Sequence, residues 1–270
     1  MMVIPQVLTI AGSDSGGGAG IQADLKTFQM RGVFGTSVIT AITAQNTLGV
    51  FDIHPIPLAS IQAQLRAVAK DFSISAVKIG MLGNTEIIQC VADCLEQYQF
   101  SHIVLDPVMI AKGGATLLEQ SAVAALKNLI LPKACLITPN IPEAERITGT
   151  QIKNEADIFN AAQIFHELGA NTVVIKGGHH NNSQSKLCKD WVFTQKGYFT
   201  LEAPRFATPH THGTGCTFSA CLTAELAKGK PVEQAVRTAK SYITAAIGHP
   251  LNIGHGHGPT NHWAYQNEQD

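Results

Sequence analysis

The chain has 270 residues, of which 45% are apolar and 14% charged, with 19 Lys+Arg against 20 Asp+Glu. A net charge of −1 argues against broad electrostatic binding to nucleic acid, and this apolar content argues against extended disorder. No apolar run reaches the roughly 18 residues of a membrane span, so no membrane partner is expected. The opening residues lack the charged region and cleavage pattern of a secretory signal. Six cysteines (Cys90, Cys94, Cys135, Cys188, Cys216, Cys221) form no CxxC pair. Free thiols in a reducing cytoplasm are therefore expected.

Strand-like runs alternate with helical periods along the chain. Residues 7–11 read as a first strand and open into the glycine-rich loop 12–20. Ile21, Leu25 and Phe28 then recur at helical spacing. Residues 33–44 are rich in β-branched side chains and predict a second strand. A helix carrying Ile61, Leu65 and Val68 precedes a short strand at 76–79. Ile87, Ile88, Val91, Cys94 and Leu95 share one helical face. Residues 103–105 and 135–137 predict two strands, with a helix at 121–129 between them. A helix at 158–168, a strand at 172–175, an antiparallel hairpin at 191–194 and 198–201, and helices at 215–227 and 232–247 complete the pattern. Such alternation predicts an α/β fold with a mostly parallel sheet covered on both faces, in a single domain spanning 1–270. In these sheets ligands sit at the carboxyl ends of strands, which is where the polar glycine-rich clusters fall.

Four segments carry chemistry. The first, Gly12-Ser-Asp-Ser-Gly-Gly-Gly-Ala-Gly20, joins a strand to a helix but matches neither the P-loop nor GxGxxG. A flexible turn and a ligand lying against the backbone are both open readings. Asp24, in the helix that follows, falls beside Phe28 on the apolar side and needs a partner. A salt bridge and a ligand contact both satisfy that need. The second segment, Thr211-His-Gly-Thr-Gly-Cys216, leads into a helix whose one charged residue up to Ala227 is Glu225. A buried helix beginning Gly213, Thr214, Gly215 leaves backbone N–H groups free where water is scarce, which makes an anion hole. Cys216 lies in the first turn, where the helix dipole favours thiolate; a small apolar packer is the alternative. His212 is expected to hold the loop by hydrogen bonds.

The third segment, Thr138-Pro-Asn-Ile-Pro-Glu143, has Asn140 and Glu143 in capping-box spacing, with Pro142 in the first turn. Glu143 would also point at the strand ends, where it could hold a water of a magnesium ion. The fourth, Leu105-Asp-Pro-Val-Met109, places Asp106 at a strand's carboxyl end for a cation or phosphate, or for a turn. Lys176, in Lys176-Gly-Gly-His179, and Lys240, near the edge of an apolar helical face, are candidate phosphate partners. His255, His257 and His262 are separated by glycines and read as a loop in preference to a metal site.

Taken in order, these segments resemble the hydroxymethylpyrimidine/phosphomethylpyrimidine kinases of thiamine biosynthesis, within the ribokinase-like superfamily. The likeness runs from about Val7 to His262 and includes Ile21-Gln-Ala-Asp-Leu-Lys26, Thr43-Ala-Gln-Asn46 and Lys78-Ile-Gly-Met-Leu82. It implies a ribokinase-like three-layer fold, with residues 33–44 and 50–56 forming a small β lid. It implies two successive transfers of the ATP γ-phosphoryl group, onto 4-amino-5-hydroxymethyl-2-methylpyrimidine and then onto its monophosphate. The pyrimidine pocket would comprise Gly12, Asp24, Gln45, Met81 and Val108. ATP would lie near Asp106, Asn140, Lys176 and Lys240, with Mg2+ near Asp106 and Glu143. Gly213, Thr214, Gly215 and Cys216 would form the anion hole, with Cys216 as base and Lys176 assisting transfer. A homodimer is also implied. Two departures are visible: the first loop lacks the Pro common before Ser-Gly-Gly, and Gln45 stands where some members have Glu. A pyridoxal/pyridoxine kinase of the same architecture is the runner-up, and a non-catalytic pyrimidine sensor the reading from a different class.

Overall fold

The computed structural model describes residues 4–178 and 186–267. Short apolar runs form the strands. Within them, alternate side chains enter opposite cores, as the two-residue period of a strand demands. Leu8 and Ile10 enter one core while Val7 enters the other. Ile103 and Leu105 oppose Val104, and Val173 and Ile175 oppose Val174, in the same way. Strands buried on both faces read as unbroken hydrophobic runs, which is why no polar alternation marks them in the sequence.

The strands are β1 (Gln6–Asp14), β2 (Phe34–Asn46), β3 (Gly49–Pro55), β4 (Ile74–Ile79), β5 (Ile103–Leu105), β6 (Leu136–Ile137), β7 (Thr172–Lys176), β8 (Leu187–Thr194) and β9 (Gly197–Pro204). They form one sheet in the order β3-β2-β1-β4-β5-β6-β7-β8-β9. Pairings from β2 through β1 to β7 are parallel; β2–β3, β7–β8 and β8–β9 are antiparallel. The expected α/β architecture and the 191–201 hairpin are thus present. The two strands expected as a lid belong to the same sheet. β2 pairs with β1 along its first part and then turns with β3 into the outer edge of the same sheet, which brings Gln45 over the strand ends.

Helices α1 (Gly20–Met30), α7 (Thr214–Ala227) and α8 (Val232–Gly248) cover one face. Helices α2 (Leu58–Asp71), α3 (Thr85–Tyr98), α4 (Ala122–Ala125), α5 (Ile141–Thr148) and α6 (Glu155–Glu167) cover the other. The 121–129 helix is broken: α4 runs into a π-turn at Leu126–Ile130 and a 3-10 turn at Leu131–Lys133. A short α9 (Ala264–Asn267) ends the described chain. As its composition predicts, α7 is buried nearly all round. Its one charged residue, Glu225, is offset by Arg31 at 2.7 Å and Lys228 at 2.8 Å. An unpaired carboxylate there would be costly. Among the described residues, no helix is long and apolar enough to cross a membrane.

Candidate active site

Because β1 and β4–β7 run parallel, their carboxyl ends share one edge of the sheet. There the loops enclose a cavity of about 750 Å³, a size that suits a small-molecule site. Gly12, Gln45, Met81 and Val108 line one part of it, and Asp106, Asn140, Glu143, Lys176 and Gly213–Cys216 another. The structure therefore gathers most of the residues singled out in the sequence.

The two glycine-rich loops lean on each other. Gly213 adopts φ +80°, and a Cβ there would overlap the Gly18 carbonyl. Gly20 adopts φ +55°, and a Cβ would overlap the Gly12 carbonyl. Glycine is required at both positions for close backbone approach as well as for conformation. Asp14 ties the loops together. Its carboxylate accepts the amides of Gly16 (2.8 Å), Gly18 (3.0 Å) and Ala19 (2.8 Å), and meets His212 Nε2 at 2.8 Å. Burial works against its ionisation, but the His212 contact and these amides hold the Asp14 carboxyl below its ordinary value. His212 thus fastens the loop, as expected. The wider role of Asp14 was invisible in the sequence, since its partner lies 198 positions away.

At the other end, α7 begins at Gly213. The Thr214 amide donates to Thr211 O and the Thr217 amide to Gly213 O. Among the described residues the Gly215 and Cys216 amides between them take no backbone partner, and both residues line the cavity. A helix start of this kind, as the glycine pattern predicts, suits an anion. Lys176, at the end of β7, lies 3.1 Å from Asp106 Oδ1. Asp106 also accepts from Thr138 Oγ1 and Ser219 Oγ, each at 3.2 Å. Burial alone would raise the Asp106 carboxyl, yet Lys176 and Lys78 hold it low. Asn140 and Glu143 form the predicted capping box, with Asn140 Oδ1 accepting the Glu143 amide at 2.9 Å and Glu143 Oε2 the Asn140 amide at 2.8 Å. Burial pushes the Glu143 carboxyl up to about 7, against the pull of Lys176.

Two carboxylates at the cavity wall, Asp106 after β5 and Glu143 in the first turn of α5, fit magnesium. This ion takes few protein ligands and completes its shell with water and substrate oxygens. No group of three or more metal-capable side chains occurs among the described residues, so an all-protein cage is not formed.

Three expectations need correction. Asp24 does not line the cavity: it is 0% exposed and meets Lys78 Nζ at 2.9 Å and Thr9 Oγ1 at 2.6 Å. Its buried apolar setting selects the salt-bridge reading over the ligand contact. Lys240 does not line the cavity either; its Nζ is 2.7 Å from Asp190 Oδ2. Asp190 also accepts the Gly177 amide at 3.0 Å, so this pair braces the turn after Lys176 from behind. Cys216 lines the cavity, but burial pushes its thiol up to about 11. Desolvation there works against the thiolate that the helix start favours. Lys78, which lines the cavity beside these groups, was not singled out by the sequence reading. A lysine inside a β-strand gives no local sign of a partner 54 positions away. His179 lies outside the described residues.

The profile of the family described as phosphomethylpyrimidine kinase matches residues 14–261. The hydroxymethylpyrimidine/phosphomethylpyrimidine kinase of Haemophilus influenzae is 70% identical over 266 residues, covering 98% of this chain and 99% of that protein. A thiamine biosynthesis bifunctional protein of Geobacter sulfurreducens is 50% identical over 256 residues, covering 95% of this chain and 52% of that protein. Among solved structures, the ADP complex of Bacillus subtilis pyridoxal kinase superposes with a TM-score of 0.89 at 40% identity, covering 98% of this chain and 99% of that one. With this family match over most of its length and these relatives, the chain belongs to the phosphomethylpyrimidine kinase family.

Proposed function

We propose that this chain transfers the γ-phosphoryl group of ATP to the hydroxymethyl group of 4-amino-5-hydroxymethyl-2-methylpyrimidine, and then to the resulting monophosphate, in thiamine biosynthesis. One observation carries this reading: a single cavity joins a part lined by Gln45, Met81 and Val108 to a part lined by Lys176, Gly215 and Cys216. The hydroxymethyl group would lie where the two parts meet.

Phosphoryl transfer needs positioning and charge stabilisation more than covalent assistance. The Gly215 and Cys216 amides and Lys176 supply fixed positive ends where negative charge develops. Lys176, anchored by Asp106, is in place before substrate arrives, so little reorganisation is needed. Asp106 and Glu143 would hold a magnesium ion, which would neutralise phosphate charge when bound. Asn140 would border the nucleotide phosphates. Cys216 acts as base only through its thiolate, which burial disfavours. Its contribution is therefore smaller than that of the anion hole. Asp24 serves the site indirectly, by holding Lys78 at its wall.

The same geometry accommodates pyridoxal, whose ring also bears a hydroxymethyl group, and the likeness to a pyridoxal kinase at 40% identity keeps that second reading in view. A steady-state assay with ATP and magnesium separates them, comparing hydroxymethylpyrimidine, its monophosphate, pyridoxal and pyridoxine by ADP release and product mass. Turnover of the first two with weak pyridoxal activity supports the proposal. A strong preference for pyridoxal moves the chain to vitamin B6 salvage. Binding without any turnover leaves a pyrimidine sensor. The one continuous sheet supports reading the chain as a single kinase domain, and six free cysteines suit a reducing cytoplasm. The homodimer implied by the family resemblance is tested by sedimentation: a 28.8 kDa species would contradict it.

A further inference from the structure

Gln45 is held by two contacts whose protons do not add up. Its Nε2 lies 3.2 Å from His212 Nε2, and its Oε1 lies 3.2 Å from Thr43 Oγ1. The same His212 Nε2 lies 2.8 Å from Asp14 Oδ2. An ionised carboxylate only accepts, so His212 Nε2 carries a proton and gives it to Asp14. Nothing is then left on that nitrogen to receive a proton from the Gln45 amide. At the other end, Thr43 has one hydroxyl proton, and the Ser13 carbonyl at 2.9 Å can only accept it. Thr43 Oγ1 then meets the Gln45 oxygen with lone pairs alone. Both conflicts vanish together when the amide turns by 180° about its last torsion, which exchanges oxygen and nitrogen in place. Two independent proton counts, one at each end of the side chain, demand the same turn.

We propose that Asp14 and His212 are positioning residues for substrate recognition, fixing the Gln45 amide with its oxygen toward His212 and its NH2 toward Thr43. In this sense Gln45 keeps one carbonyl lone pair and one N–H for a ligand, side by side. That edge complements an exocyclic amine next to a ring nitrogen, the way amides read the adenine edge. The order of the two groups also fits. His212 belongs to the anion-hole loop, so the amide oxygen lies on the anion-hole side, where an amine next to the reacting hydroxymethyl group falls. The amide nitrogen, on the Thr43 side, meets the ring nitrogen beyond it. The opposite sense would set amine against amine. A pyridine ring carrying a hydroxyl offers no such matched pair, so the fixed amide selects aminopyrimidines over pyridines. The inference rests on the reading of the cavity as a pyrimidine site and adds which residues fix the sense of its amide.

A long-range 1H–15N spectrum of the ligand-free wild-type protein, with nuclear Overhauser contacts for glutamine side chains, tests the first half without substrate. The expected result is a protonated His212 Nε2 and a contact between the Gln45 NH2 and the Thr43 methyl group. A proton on Nδ1 alone, or contacts from that NH2 to the His212 ring, overturns it. Two variants test the second half. His212→Gln keeps an N–H close to the Nε2 position, and His212→Leu removes it. Losing a fixed hydrogen bond should raise the KM for hydroxymethylpyrimidine about tenfold in His212→Leu with the KM for ATP unchanged, while His212→Gln stays within about threefold of wild type. If both variants shift the two KM values together, the role is structural and the proposal fails. If His212→Leu does not fold, the spectrum decides. A wild-type protein that turns over no aminopyrimidine overturns the substrate reading, and the spectrum still decides the sense of the amide.

Discussion

Two lysine–aspartate pairs stand by the same cavity, and their surroundings give them different work. Lys78–Asp24 joins β4 to α1 at 2.9 Å, with both side chains 0% exposed. Lys176–Asp106 joins the ends of β7 and β5 at 3.1 Å, but the Lys176 side chain keeps 18% exposure. In the first pair, burial by itself would depress the lysine; Asp24 instead raises it, so the ammonium is fixed in place. In the second, the lysine can still take a phosphate oxygen, and Asp106 keeps two hydroxyl donors of its own. The chemical pair is the same. What else can reach the lysine decides whether it builds the wall or works at it.

The largest effect should come from breaking the sealed pair. Asp24→Ala leaves Lys78 as an uncompensated buried charge, which should cost about 3–5 kcal/mol of stability. Urea unfolding measures this, and a loss below 1 kcal/mol would show that the pair is not the brace described. Breaking the open pair should act on rate instead. Lys176→Met should lower kcat by roughly 10²–10³, the usual result of removing one fixed group that stabilises transition-state charge.

Glu143 gives a smaller, pH-dependent test. Its folded value, about 7, lies above the ordinary carboxyl value of 4.5. The folded state therefore binds more protons than the unfolded state between those values, and this group's contribution to stability falls as pH rises through that window. Ionised Glu143 is the form that would hold magnesium, so magnesium affinity should rise in the opposite direction. Between pH 6 and pH 8 the apparent magnesium requirement should drop roughly tenfold, as the ionised fraction grows. Glu143→Gln should flatten that dependence. An unchanged slope in the variant would assign it to another group. The smallest effect is expected at Cys216. Because its thiol is raised to about 11, Cys216→Ser should keep kcat within about tenfold of wild type. A loss of a thousandfold would restore the thiolate to a central place.

The elements that local pattern governs were legible in the sequence. The apolar runs of β1, β4 and β5, the capping box at Asn140 and Glu143, and the nearly uncharged helix after Gly213 all appeared where predicted. Each depends on neighbours a few residues apart. What was not legible depends on partners far along the chain. Asp24 read equally well as a ligand contact until Lys78 stood beside it, and Lys240 as a phosphate partner until Asp190 did. Cys216 shows a different limit. Its place in the first turn was correct, but the depth of burial that raises its thiol is a property of the packed loops. That β2 would pair with β1 and β3 in one sheet was not legible, because strand propensity says nothing about which strand a segment will join.

Fixed charge at the phosphate end, with one ion pair serving structure and the other catalysis, makes one comparison decisive. The most direct measurement is a matched set of kcat values and urea midpoints for wild type, Asp24→Ala and Lys176→Met under one set of conditions. A crossed result is expected, with the midpoint falling mainly in Asp24→Ala and kcat falling mainly in Lys176→Met among folded molecules. If Lys176→Met retained wild-type kcat, or if its loss of activity simply tracked a loss of stability as large as that of Asp24→Ala, the division would be contradicted.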